Sequence, residues 1–274
     1  MRLGLRWVGA GLSLAVVGCK TVPKDADPFQ ARVISSQVNV IDQSLTELAA
    51  RVVLEVKTRP GARAMHGHVE MLVDRASVGE SDVTFNAAVS DDGRVTVVLN
   101  HVGHYAKTGE DIAALEKRGK LQVTLRGTVT VESAGMTRTA SFTQLREVRA
   151  PRLLVPRMVE VSAGRYDNGE VNVIFRLGIT NPNPFPVRLR GVRYQTRLAD
   201  TDVGDGTVGQ ADIVSASSSV SYELQDFLDV TQAALNRRLF RMTNIPYVVA
   251  GELAAEPYAK RFELKGVFRL TRDE

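Results

Sequence analysis

A chain of 274 residues with a formal net charge of +4 and a sequence pI near 9.3 carries only a small excess of bases, interspersed with acids. Nucleic-acid proteins show a clustered basic face, so no nucleic-acid partner is expected. A single cysteine, Cys19, leaves no disulfide, and the fold must rest on its core alone.

The chain opens MRLGLRWVGAGLSLAVVGCK, with a basic start at Arg2 and Arg6 and an apolar run over residues 7–17, broken only by glycines and Ser13. That run is too short for a permanent membrane helix and has the layout of a secretory signal. Val16-Val17-Gly18-Cys19 resembles the lipobox of bacterial lipoproteins, in which the cysteine is acylated and the chain is cut before it. The resemblance implies a signal peptide over 1–18, lipidation at Cys19 and a mature chain whose charge falls to about +2 with the loss of Arg2 and Arg6. It also implies a membrane partner through Cys19 and a place in the cell envelope. Lys20, where aspartate would favour the inner membrane, points to the outer membrane facing the periplasm. Residues 19–28 read as a polar tether. No later stretch is long and apolar enough to cross a bilayer, so a soluble body on a lipid anchor is expected.

The remainder, about 245 residues, fits one large or two ordinary domains. Internal similarity favours two. VVLEVKTRPG (52–61) aligns with IFRLGITNPN (174–183), VEMLVDRASVG (69–79) with VRYQTRLADTDVG (192–204), and LQVTLRGTVTVE (121–132) with IPYVVAGELAAE (245–256). Gly127 then falls opposite Gly251, and the offsets stay between 122 and 125. Alternating runs at 51–57, 94–99, 122–132, 170–179 and 218–224 predict half-buried strands. One helix is predicted late in each half. The first, over 109–118, has Thr108 as cap and Asp111 at capping-box spacing. The second, over 227–241, has Asp226 as cap and Phe227, Val230, Ala234 and Leu235 on one face. The expected fold is all-β: two tandem antiparallel β-sandwiches over 29–148 and 156–272, each with one short helix, joined through 149–155 between Pro151 and Pro156.

ITNPNPFPVRLR (179–190) sets three prolines among two asparagines within six residues. Asn181 and Asn183 each precede proline and are biased to extended geometry. The prolines lack N–H groups, so the stretch cannot continue a central strand. Phe185 and Val187 can drop back onto a core, and the cluster reads as a bend with its own plug. It offers no acid, base or nucleophile. The strand before it alternates Ile174, Arg176 and Gly178 against Phe175, Leu177 and Ile179, and the pattern does not say which set faces inward.

Through ITNPNPFPVRLRGVRYQTRLADTDVGDG the chain resembles the water-stress and hypersensitive-response domain of the late-embryogenesis-abundant type 2 family. Asn181, Pro182 and Asn183 match its Asn-Pro-Asn motif, Tyr194 its next strand, and Val203 and Gly206 its following turn. The resemblance covers 156–272 and reaches 31–148 only through the internal repeat, where the motif has become Arg59-Pro60-Gly61. It implies a fibronectin type III-like sandwich, no catalytic centre, no cofactor and a link to desiccation and stress protection.

Other chemistry is weighed residue by residue. His66 and His68, placed in a Gly-rich turn, and His101 and His104, placed at a strand end, could ligate zinc with Asp74 or Glu70, but no His-Glu-x-x-His motif is present and no metal site is expected. In ADTDVGDG (199–206), counting from Asp200, Gly204 and Asp205 stand where an EF-hand needs a ligand and then a glycine, so the stretch reads as a polar hairpin turn. No Gly-x-Ser-x-Gly elbow or phosphate loop occurs. Arg188, Arg190, Arg193 and Arg197 line one strand face that could meet an anionic lipid or polysaccharide. The expectation is a non-enzymatic envelope lipoprotein. Its alternatives are a metal-dependent binding protein or hydrolase using the first-half histidines, and a docking subunit for another envelope protein.

Overall fold

A computed structural model describes residues 29–167, 170–199, 201–229 and 243–269. Cys19 and the predicted signal and tether lie outside them. Among the described residues there are fifteen strands and one helix. The first half holds β1 (Arg32–Gln43), β2 (Glu47–Lys57), β3 (Arg63–Val73), β4 (Ala76–Ala88), β5 (Arg94–His104), α1 (Gly109–Glu116), β6 (Lys120–Ser133) and β7 (Met136–Arg149). The second holds β8 (Val155–Asp167), β9 (Glu170–Thr180), β10 (Val187–Leu198), β11 (Thr201–Val208), β12 (Ile213–Val214), β13 (Ser219–Asp229), β14 (Asn244–Ala255) and β15 (Tyr258–Arg269).

All pairings are antiparallel, and they give each half the same plan. A three-stranded sheet β1-β2-β5 and a four-stranded sheet β4-β3-β6-β7 make the first half. The second has β8-β9-β13 and β11-β10-β14-β15, with the short β12 added beside β10. Strand for strand, the two orders coincide. The fold is all-β, built of β-sandwich-like units.

Period-two alternation explains the cores. Along β2, Leu48, Ala50, Val52, Leu54 and Val56 are buried. Between them Arg51 faces outward and donates from Nε to Asn100 Oδ1 at 3.1 Å. In β9 the inward set is Phe175, Leu177 and Ile179, all with no exposed surface, while Arg176 reaches out to Glu160 at 2.7 Å and Glu223 at 3.1 Å. Each such buried leucine, isoleucine or phenylalanine contributes about 1.5–3 kcal/mol.

Thr108 accepts a hydrogen bond from the Asp111 N–H, and Asp111 reaches back to the Thr108 N–H, closing the capping box of α1. These contacts, led by the Lys107 N–H, hold the Asp111 carboxyl below its ordinary pKa. The other predicted helix begins differently. β13 continues to Asp229, with Asp226 paired to Val173 and Phe227 to Asn172 in the ladder with β9. A free strand edge beside β9 outweighs the local capping signal at Asp226. Residues 230–242 lie outside the described residues.

Two local predictions need correction. His66 and His68 are not in a turn; they stand within β3, and Gly67 between them answers a close approach from the opposite sheet. A Cβ there would lie 2.6 Å from Leu99 Cδ2. Val203 and Gly206 are not turn residues either, since β11 already runs from Thr201 and the chain reverses near Ala199, which has φ +48°.

Candidate functional site

The Asn-Pro-Asn stretch sits where β9 ends, and burial alternates strictly along it: Asn181, Asn183, Phe185, Val187 and Leu189 point inward, while Pro184 and Pro186 are exposed. Prolines on the solvent side keep the backbone extended without removing any ladder bond. Both asparagines are almost wholly buried, at 0% and 1% exposure. The Asn181 N–H donates to Ser218 O at 2.8 Å. Its Nδ2 donates to Phe185 O at 2.8 Å, Val214 O at 3.0 Å and Ser215 O at 3.1 Å, and its Oδ1 accepts from the Asn183 N–H and Nδ2 at 3.0 and 2.9 Å. One side chain thus ties together the end of β9, the plug at Phe185 and the turn after β12.

Asn183 extends the network to the segment between the halves. Its Oδ1 accepts from the Arg152 N–H at 2.7 Å and its Nδ2 donates to Arg152 O at 2.8 Å, so the amide imitates a strand neighbour. Two further contacts close this junction. The Leu154 N–H donates to the Tyr258 hydroxyl at 2.7 Å, and burial pushes the Tyr258 pKa up to about 12. α1 lies against the base of the same side chain, with an added Cβ at Gly109 only 2.7 Å from Tyr258 Cβ. Sequence reasoning missed Arg152, Leu154 and Tyr258, because nothing local marks a tyrosine that caps a neighbouring segment. Tyr194 lies over Gly206, whose added Cβ would be 2.8 Å from the tyrosine oxygen.

The leading end of the first half has the same layout with other residues. Phe29, fully buried, lies just ahead of β1, and the Arg59 and Arg138 guanidinium groups lie 5.0 and 5.7 Å from its ring centre. Arg59 Nε also donates to Ser133 Oγ at 2.7 Å. The aligned glycines occupy equivalent positions as well. A Cβ on Gly127 would fall 1.9 Å from His68 O, and one on Gly251 would fall 2.1 Å from Arg193 O. Their partners, however, correct the sequence alignment. Val69 faces Gly127 and Tyr194 faces Gly251, so 69 corresponds to 194, two residues from the sequence match to 192. A slip of two preserves inside and outside and leaves no trace in the pattern.

The four histidines are not gathered. His68 Nδ1 meets Asp82 at 2.9 Å, His104 Nδ1 meets Glu47 at 3.1 Å, His66 lies 3.4 Å from Thr84 Oγ1, and His101 Nδ1 lies 2.9 Å from Ser81 Oγ. Glu70 is engaged by Arg126 at 2.7 Å and Asp74 by Arg118 at 2.5 Å. Among the described residues, no three His, Cys, Asp or Glu stand close enough to hold a metal ion. The arginine row does share the outer face of its sheet, brought into phase by a bulge between Leu189 and Gly191. Arg190, Arg193 and Arg197 pair with Glu256, Glu252 and Asp202 at 2.8–3.0 Å. A shallow hollow of about 620 Å³ lies there, lined by Arg193, Tyr194, Gln195, Glu252, Arg261 and Glu263 among others.

His101 is 5% exposed, its Nε2 buried without a hydrogen-bond partner, and burial lowers its pKa from the usual 6.5. A base depressed in the folded state takes its proton first in the unfolded chain. Its contribution to stability is therefore full above the unfolded value and is lost as pH falls through the folded one. The thermal midpoint of the first half is expected to fall as the pH is lowered through and below the ordinary histidine value of about 6.5. His101→Asn should flatten that slope, and an unchanged slope in melting curves would refute the assignment.

These features define an all-β double sandwich whose most distinctive polar residues bind its own backbone. Residues 176–265, a stretch within the second sandwich, match the family model described as late embryogenesis abundant protein. A comparison with curated proteins finds no match. Among solved structures, the chain is similar to the solution structure of an Arabidopsis thaliana protein, at 14% identity over 43% of this chain and 83% of that one, with a TM-score of 0.37. A crystal structure of a protein from Archaeoglobus fulgidus is 14% identical over 42% of this chain and 98% of its own, with a TM-score of 0.29. For the red sea bream transglutaminase the values are 14% identity over 88% of this chain and 32% of the enzyme, with a TM-score of 0.28. Among the described residues, no helix is long and apolar enough to cross a membrane.

Proposed function

We propose that this chain is a non-enzymatic lipoprotein of the bacterial envelope, anchored through Cys19, with two tandem copies of the water-stress-type sandwich that protect or bind neighbouring envelope components. One observation carries the reading. In the segment that matches the stress-related family, Asn181 and Asn183 are buried and fully engaged with backbone groups, so the signature builds a scaffold. Coincident strand orders and the shared crowding at Gly127 and Gly251 support the tandem copies. The lipobox-like Val16-Val17-Gly18-Cys19 supports the anchor, and Lys20 the outer membrane facing the periplasm.

The test is a deletion strain complemented with wild type or Cys19→Ser. Wild type should incorporate labelled palmitate, sediment with the outer membrane and restore survival of drying and osmotic shock. Cys19→Ser should lose the label and stay in the periplasmic fraction. A wild-type chain that takes no label, or a deletion strain indifferent to these stresses, would refute the corresponding part of the proposal.

A further inference from the structure

In the second sandwich the leading end, where the chain comes in, is covered by protein: Leu154 and Tyr258 are buried there, and α1 packs on the β14–β15 turn. The first sandwich has the same end: with Gly127 and Phe142 standing for Gly251 and Phe262, Arg138 takes the place of Tyr258, since Val131 pairs with Arg138 where Ala255 pairs with Tyr258, and the hairpin runs two residues further on each strand to Ser133 and Met136. Met136, at the tip of that hairpin, is 38% exposed. The family motif has also changed there: the place of buried Asn181 is taken by Thr58, whose N–H donates to Gly93 O as that of Asn181 does to Ser218 O, and Arg59 follows it. The first two strand-end rows around this end hold Arg32 beside Lys57, Lys57 beside Arg94, and Arg63 beside Glu132. With Arg59 and Arg138, six basic side chains meet four acidic ones, Asp91, Asp92, Glu132 and the Glu55 that pairs with Arg94 at 2.9 Å, an excess of two.

This is also where the chain leaves the described structure. Phe29, held between Arg59 and Arg138, fixes the exit at the basic end. Nine residues separate it from Cys19. Such a length spans at most about 30 Å, so a lipid on Cys19 keeps this end close to the bilayer. Basic clusters beside a membrane anchor are drawn to anionic headgroups once within a Debye length of about 8 Å.

We propose that the leading end of the first sandwich, through Arg32, Lys57, Arg63 and their neighbours, docks on anionic phospholipid headgroups and stands the tandem upright on the membrane. The orientation rests on the Cys19 anchor, but the charge contact can be measured without it. The full mature chain carrying Cys19→Ser is mixed with phosphatidylcholine vesicles, with or without phosphatidylglycerol. It should sediment only with the anionic vesicles and be released by salt. Arg32→Gln, Lys57→Gln and Arg63→Gln together should weaken that binding by at least about tenfold. A charge-matched control, Arg188→Gln with Arg190→Gln and Arg197→Gln, should bind as the parent does, and both triples should keep the parent's circular dichroism spectrum.

Equal binding to both vesicle types, no binding to either, or equal loss in the control would overturn the docking proposal. A chain that takes palmitate yet ignores phosphatidylglycerol defeats docking alone. One that binds phosphatidylglycerol but takes no palmitate defeats the anchor and the upright orientation, and leaves the charge contact standing.

Discussion

Asn181→Ala is expected to destabilise the second sandwich by about 4 kcal/mol, enough to lower its thermal midpoint by about 10 °C. The estimate follows from what the side chain leaves behind. Without its amide, the carbonyls of Phe185, Val214 and Ser215 lose their donor and the Asn183 N–H and Nδ2 lose their acceptor. Each buried polar group left unsatisfied costs about 1–3 kcal/mol, less where water can enter the space. Asn181→Asp keeps the shape and removes the donors, setting a carboxylate against three carbonyl oxygens, so it should be no better tolerated than alanine. Calorimetry of the full chain decides the matter. A midpoint within about 2 °C of wild type for both variants would mean that the asparagine is not what holds the bend.

The same network explains why the halves should not swing freely. The segment between β7 and β8 is bonded on one side to Asn183 and on the other through Ala150 N–H to Gly119 O at 3.1 Å. Tyr258 then clamps Leu154 from the second sandwich while its Cβ lies against α1 of the first. Residues that a motif search reads as one domain's bend therefore also set the geometry between the two.

What the sequence revealed follows the range of the forces involved. Strands were legible because burial on one face imposes a period of two over each run, as in β2 and β9, and α1 because its capping box is wholly local. The continuation of β13 through Asp226 was not, since a ladder with β9 is a tertiary fact that outweighs a local cap. His66-Gly67-His68 looked like a turn because a glycine that makes room for Leu99 on the facing sheet cannot be told, in one dimension, from a glycine that turns the chain. Asn181 and Asn183 were visible as a rigid bend, but their bond to Arg152 and the clamp at Tyr258 join residues 31 and 104 positions apart. Long-range pairings of that kind leave no spacing to read.

Gly127→Ala and Gly251→Ala should be comparably harmful, each costing about 3 kcal/mol, although alanine in place of glycine usually strengthens a strand. An added methyl carbon would stand 1.9 Å from the His68 carbonyl oxygen in one case and 2.1 Å from that of Arg193 in the other, with Phe142 or Phe262 at 3.0 Å on the far side. Neither obstacle can rotate away, because the first is backbone and the second is an aromatic ring seated across the neighbouring strand, Phe142 opposite Gly127 and Phe262 opposite Gly251. Relief requires β3 to part from β6, or β10 from β14, at the centre of the larger sheet. Urea unfolding of each variant should therefore show a loss of similar size, confined to the sandwich that carries the change and leaving the other half's transition in place. If one alanine proves harmless while the other is not, the two glycines do not hold equivalent places, and the correspondence between the halves loses its most local support.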